Sequence, residues 1–213
     1  MLPLVAMRVL RGSTAVAPKQ LRRWSSTSIS PKHQSSTAEA ARVVYVNGDY
    51  VPEADAKISI FDRGFLMGDA VYEVTAVVQG KLLDFDSHIA RLRRSLDELS
   101  MSSPCSDSEL LDIHRALIAH NHLDEGLVYL QASRGACDRD FLIPDAVDPS
   151  LVLFTQTKPM VQTAAAAAGL RVISLDDIRW QRRDIKTVQL LARSRGSHTA
   201  HVCAHAHARR ALD

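Results

Sequence analysis

The sequence predicts a mixed α/β fold of the α+β type. Its elements fall into a small N-terminal domain followed by the start of a second one. Three observations predict it. Strand-like runs are bounded by Gly, Asn and Pro turns, and two amphipathic helices sit between strand runs. A hinge-like Thr157-Lys158-Pro159 then comes late in a chain of 213 residues.

The ordered region is expected to begin at Arg42. Val43-Val44-Tyr45-Val46 and Tyr50-Val51-Pro52 flank Asn47-Gly48-Asp49, a hairpin signal, because Asn-Gly tolerates the positive φ angles of a type I′ turn. Lys57-Ile58-Ser59-Ile60 reads as a further short strand, and Asp62 to Asp69 as a loop punctuated by Gly64 and Gly68. Ala70 to Val78 is β-rich and ends at Gln79-Gly80. Asp86 or Ser87 can cap the first helix, where Ile89, Leu92, Leu96 and Leu99 recur at helical spacing. The second helix opens with the capping-box pattern Ser106-Asp107-Ser108-Glu109 and buries Leu110, Ile113 and Leu117. Gly126 to Ser133 and Leu151 to Gln156 are strands. The small domain is therefore expected over residues 43–156, with residues 157–192 forming the hinge and the start of the large domain. That second part includes the alanine-rich 164–168 and a strand at Leu170–Ser174.

Composition narrows the functional class. An apolar fraction of 46% with 23% charged residues describes a globular chain with material for a substantial core. The longest apolar run falls short of the roughly 18 residues that a membrane span needs. Net charge is +2 but unevenly spread: residues 1–38 hold six basic residues and no acid, leaving 20 basic against 24 acidic side chains beyond them. No basic patch for nucleic acid stands out once that segment is set aside. The segment itself is Arg-, Ser- and Thr-rich, opens on an apolar-basic stretch, and contains Arg22-Arg23-Trp24-Ser25-Ser26, similar to a mitochondrial processing site. An organelle-targeting peptide and a matrix location are expected, with a disordered basic arm on a cytoplasmic protein as the alternative. Cys105, Cys137 and Cys203 share no close spacing, which argues against a disulfide framework or a zinc knuckle. Residues 193–213 lose apolar periodicity and gather His198, His201, His205 and His207 around Cys203; without a framework they read as an atypical tail, and no metal is expected.

Lys186 carries the chemical signal. It lies between Ile185 and Val188 in an apolar stretch, where partial desolvation disfavours the ammonium form, as a Schiff-base lysine requires. The bland alternative is a lysine that snorkels to solvent. Upstream, Val46-Asn47-Gly48, Asp62-Arg63-Gly64-Phe65, Gly68-Asp69-Ala70-Val71-Tyr72-Glu73 and His88-Ile89-Ala90-Arg91-Leu92 precede Asp184-Ile185-Lys186. Together, from about Val43 to Leu191, they resemble the class IV aminotransferases, fold-type IV enzymes that depend on pyridoxal 5′-phosphate. The similarity is greatest to D-amino acid (D-alanine) aminotransferases.

The resemblance implies roles. Lys186 would bind the cofactor covalently and carry a proton as general base and acid. Tyr72 and Val74, two apart on a strand, share a face; the resemblance makes it the active-site face, with Tyr72 hydrogen-bonding near the lysine and Val74 shaping the substrate pocket. Glu73 points the other way, where an ion pair is expected. Arg91 inherits the cofactor-phosphate role, through two parallel N–H donors, whereas Arg93 and Arg94 read as solvated and His88 as either structural or functional. Arg139 matches an arginine that binds the substrate carboxylate, although Phe141 stands where the family has histidine; a surface ion pair with Asp138 or Asp140 is the alternative. The family's acid for the pyridine nitrogen and its phosphate loop have no counterpart after Leu191, so the resemblance implies a complete small N-terminal domain, an incomplete large C-terminal domain, and a truncated or mis-terminated member. The expected activity is transamination between a D-amino acid and a 2-oxo acid in a homodimer. The runner-up is aminodeoxychorismate lyase, ahead of branched-chain transamination, and the other class is a non-catalytic fragment or dimerisation partner.

Overall fold

The computed structural model describes residues 41–144, 146–169, 181–190 and 194. The expected targeting segment, the strand at Leu170–Ser174 and nearly all of the His-rich tail lie outside the described residues.

The hairpin forms as its turn chemistry demands. Strands β1 (Val43–Val46) and β2 (Asp49–Pro52) pair antiparallel. Asn47 and Gly48 take φ of 49° and 107°, the positive values of a type I′ turn. Residues 57–60 form no strand: Ile58 and Ile60 are exposed, and no described strand lies beside them to reward the alternation. The expected loop at 62–69 contains a one-turn helix, α1 (Arg63–Met67). Asp62 caps it by accepting the Gly64 N–H at 2.8 Å, and Gly68 stops it in the left-handed conformation at φ 69°.

Strand β3 (Ala70–Val78) turns at Gln79-Gly80 into the two-residue β4 (Lys81–Leu82). Helix α2 (Phe85–Glu98) begins slightly earlier than expected, because Asp84 occupies the cap position and Ser87 Oγ donates back to its carboxylate at 2.9 Å. Helix α3 (Asp107–His120) has the full capping box, with Ser106 and Glu109 each bonding the other's backbone N–H. Strands β5 (Gly126–Ser133) and β6 (Ser150–Thr157) complete an antiparallel sheet of order β2-β1-β6-β5-β3-β4, and the alanine run forms α4 (Ala164–Ala168).

Alternation along the strands divides the sheet into two chemistries. Val71 and Val77 of β3, Val128, Leu130 and Ala132 of β5, and Leu151 and Leu153 of β6 pack against Ile89, Leu92 and Leu96 of α2 and Leu110, Ile113 and Leu117 of α3. Among the described residues this is the main hydrophobic cluster, and it lies on the helix-covered face. The other face carries Tyr72, Tyr129 and Phe154.

Candidate active site

Strand β3 presents the candidate residues by its period of two. Tyr72 and Val74 share a face, as expected, and it is the one away from the helices, with Tyr72 buried and Val74 half-buried. Tyr72 stacks on Tyr129 (centroids 5.7 Å apart, planes 21°), and Tyr129 stacks on Phe154 at 4.8 Å. Arg42 lies over the outer face of this row, 5.9 Å from the Phe154 centroid. Burial, together with Tyr72 alongside, pushes the Tyr129 hydroxyl up to about 12, so it stays protonated and donates to Gln131 Oε1 at 2.9 Å.

Lys186 meets this face. Its segment occupies the edge of β3 that β5 leaves free: Tyr72 N–H donates to Lys186 O at 3.1 Å, Val188 N–H donates to Ala70 O at 3.2 Å, and Val71 opposes Thr187. Ile185 and Thr187 are thereby buried, and Lys186 Nζ comes to rest 4.3 Å from the centroid of the Tyr72 ring. An ammonium held over an aromatic face is attracted to the ring without being neutralised by a carboxylate. Among the described residues Lys186 has no ion pair, so its amine remains available for chemistry.

Glu73 points to the helix face, as expected, and is 1% exposed. Arg91 grips it in fork geometry, Nε to Oε1 at 2.7 Å and Nη2 to Oε2 at 2.6 Å, while His88 Nδ1 lies 2.8 Å from Oε2. The two parallel donors expected to hold a phosphate are thus directed to Glu73. What Arg91 keeps for a second anion is Nη1, on a side chain that is 43% exposed. The hydrogen bonds to Glu73 raise the guanidinium above its ordinary value, outweighing burial, so the group stays cationic.

Arg139 is not brought to Lys186 or Tyr72 by any contact among the described residues. It lies exposed over the Phe141 ring, 5.0 Å from its centroid, rather than in an ion pair with Asp138 or Asp140. Its loop is nonetheless anchored: Arg63, itself buried, donates through Nη1 to Asp140 O at 2.8 Å. Arg93 is not solvated, since it bonds Asp107 and the Cys105 carbonyl and so joins α2 to the start of α3. Arg94 reaches the Asp184 carbonyl at 2.5 Å.

Sequence reasoning missed three features. Asp69 joins Arg63 and Arg134, each with Nε 2.7 Å from its Oδ2. Tyr129 extends the aromatic platform under Lys186, and Ser95 Oγ accepts the Lys186 N–H at 3.3 Å. Alternation in Leu127-Val128-Tyr129 could have placed Tyr129. No pattern announces the other two, which depend on tertiary contact. A cleft over Arg134, walled by Ser100, Met101 and Asp148, is set apart from this chemistry, and Arg134's donors are already engaged by Asp69, Leu99 O and Ser100 O.

A one-faced antiparallel sheet with a lysine held over a tyrosine at its edge matches the motif order in the sequence. The Amino-transferase class IV family model matches residues 70–201. The chain belongs to the class IV aminotransferases. D-alanine aminotransferase of Staphylococcus aureus (strain MSSA476) is 34% identical over 151 residues, covering 70% of this chain and 52% of that protein. The D-alanine aminotransferase of Listeria monocytogenes serotype 1/2a (strain 10403S) is 35% identical over 160 residues, 74% of this chain and 55% of its own length. The chain therefore spans about half the length of these curated relatives. Among solved structures, Escherichia coli branched-chain amino acid aminotransferase aligns with a TM-score of 0.54 at 19% identity, over 59% of this chain and 43% of that one. The T.th. branched-chain amino acid aminotransferase, solved with pyridoxamine 5′-phosphate, gives 0.54 at 18%, over 58% and 42%. These two show the fold.

Proposed function

We propose that the chain supports pyridoxal 5′-phosphate-dependent transamination between a D-amino acid and a 2-oxo acid. The observation that carries this reading is Lys186 Nζ over the Tyr72 ring, on the sheet face opposite the helices that Val74 shares with Tyr72. The curated relatives named D-alanine aminotransferases support the substrate class. Two groups among the described residues would serve the cofactor: an amine without a carboxylate partner on the face away from the helices, and an arginine nitrogen left outward on the helix side of the same strand.

When bound, the cofactor supplies an electron sink that stabilises negative charge developing at the substrate Cα. Lys186 would hold it through Nζ, and that nitrogen would also take up and return the Cα proton. Arg91 Nη1 would pair with its phosphate while the rest of the guanidinium stays locked to Glu73. Tyr72 orients the lysine with its ring. Val74 limits side-chain size, and Arg139 would bind the substrate carboxylate from its exposed loop. A homodimer is the assembly proposed for this chain, and residues 1–38 are proposed to direct it to an organelle matrix. A fluorescent fusion of those residues that stays cytosolic would refute the localisation.

The test is direct. Purified protein is mixed with pyridoxal 5′-phosphate, reduced with borohydride and mapped by mass spectrometry, then assayed for pyruvate from D-alanine that depends on 2-oxoglutarate. Labelling concentrated at Lys186 and lost in Lys186→Ala supports the reading. Equal labelling of Lys186 and the exposed Lys57, Lys81 and Lys158 refutes it and leaves a non-catalytic chain. Pyruvate released from aminodeoxychorismate, but not from D-alanine, would favour the lyase.

A further inference from the structure

We infer that Ser95 is a positioning residue for Lys186, setting the register that places Nζ over the Tyr72 ring. This rests on the proposed role of Lys186.

Ser95 interrupts an apolar stripe. It lies on the buried side of α2 beside Leu92 and Leu96 and is 1% exposed, where an alanine or leucine would serve packing better. A buried hydroxyl is tolerated only where it is hydrogen-bonded. Here Ser95 Oγ accepts the main-chain N–H of Lys186 itself.

The rest of the segment shows why that contact matters. The Lys186 carbonyl is fixed by Tyr72 N–H, and the flanking Val188 N–H by Ala70 O, so β3 holds one side of the lysine peptide. Among the described residues, only α2 holds its N–H. The neighbouring α2 contacts, Arg94 to Asp184 O and Glu98 to Arg182, are made by half-exposed side chains, and such surface pairs fix geometry weakly. Ser95 supplies the hydrogen bond from the buried side of α2, beside the packing of Ile185 in the core.

One helical stripe thus reaches both halves of the candidate site. His88, Arg91 and Ser95 follow one another at i, i+3 and i+7, which places them along one side of α2. The first two hold Glu73, the residue after Tyr72, and the third holds Lys186. Helix α2 acts as a jig that fixes the lysine and its aromatic platform relative to each other. The hydrogen bond is long, so its role is register rather than stability.

Three readouts on Ser95→Ala and Ser95→Thr test this on the whole chain. Amide hydrogen exchange reads the Lys186 N–H, and borohydride trapping of pyridoxal 5′-phosphate reads labelling of Lys186 relative to Lys57, Lys81 and Lys158 in the same sample. Thermal melting monitors the fold. In Ser95→Ala, Lys186 amide protection and its labelling advantage are each expected to fall on the order of fivefold, with little change in melting. Ser95→Thr, which keeps the hydroxyl, restores both. Unchanged protection overturns the inference. Lost protection with an unchanged labelling advantage also overturns it, leaving Ser95 a structural contact only, as does failure of Ser95→Thr to restore the advantage. If wild-type Lys186 shows no labelling advantage, the proposed function fails, while amide exchange still decides whether Ser95 holds the lysine backbone.

Discussion

Arg91 and Glu73 form a two-bond pair in which the carboxylate is 1% exposed and the guanidinium side chain 43% exposed. That inequality predicts unequal mutational costs. Arg91→Ala strands a buried carboxylate with His88 alone, and removing one partner of a buried pair costs about 3 kcal/mol. Glu73→Gln leaves a guanidinium that water can reach, for about 1 kcal/mol. Denaturant midpoints of the two variants check the order, and a larger loss for Glu73→Gln would contradict it.

His114 makes folding pH-dependent. Burial pushes its ring down from the usual histidine range more than the hydrogen bond it donates through Nδ1 to Leu110 O, at 2.6 Å, raises it. The unfolded chain therefore binds more protons than the folded one wherever pH lies between the folded value and about 6.5. Stability from this group is complete above that upper limit and is lost as pH falls through the folded value. Melting temperature should drop on acidification from pH ~7, and His114→Gln should flatten that limb. Equal slopes for wild type and variant would remove His114 as the cause.

What the sequence revealed and what it hid divides by range of interaction. The capping box at Ser106 and Glu109, the Asn47-Gly48 turn and the alternation in β3 are local, and each formed as read. Helix α1 escaped notice because one turn carries no apolar period; only Asp62 and Gly68, its cap and stop, could have marked it. Ile58 and Ile60 misled, since alternation makes a strand only where a neighbour exists. In the site, only the family resemblance put Tyr72 near Lys186, and it implied a hydrogen bond where the structure sets Nζ over the ring. The partners of Arg91 and Ser95 lie 18 and 91 residues away in sequence, and only the fold selects them.

The loop that carries Arg139 depends on Gly135. At φ 110°, a Cβ there would sit 2.0 Å from the Asp148 carbonyl oxygen and 2.6 Å from Val147 Cγ1. Backbone strain and a clash with main chain act together, so Gly135→Ala is expected to cost about 2–4 kcal/mol and displace the loop. Arg139→Ala, in contrast, removes an exposed side chain and should leave the melting temperature within about 1 °C of wild type, surface changes being worth a few tenths of a kcal/mol. If Arg139 serves the substrate carboxylate, KM should rise with kcat nearly unchanged. A stability loss in Arg139→Ala equal to that in Gly135→Ala would show a structural role instead.

The aromatic row beneath Lys186 makes the last prediction. Tyr72 and Tyr129 stack at 5.7 Å, and Tyr129 is held from beyond by Phe154 at 4.8 Å. Tyr72 thus has a fixed ring plane, and Nζ at 4.3 Å from its centroid takes its position from that plane. A double-mutant cycle of Tyr72→Leu and Tyr129→Leu should show coupling of about 0.5–1.5 kcal/mol in denaturation. Tyr129→Leu alone should lower borohydride-trapped labelling at Lys186, although Tyr129 does not contact the lysine, because the ring under Nζ becomes free to tilt. Tyr72→Phe keeps the ring and the stack, and should retain most of the labelling. Additive stability effects, or a Tyr72→Phe defect as large as that of Tyr72→Leu, would shift the explanation from the stacked ring to the hydroxyl.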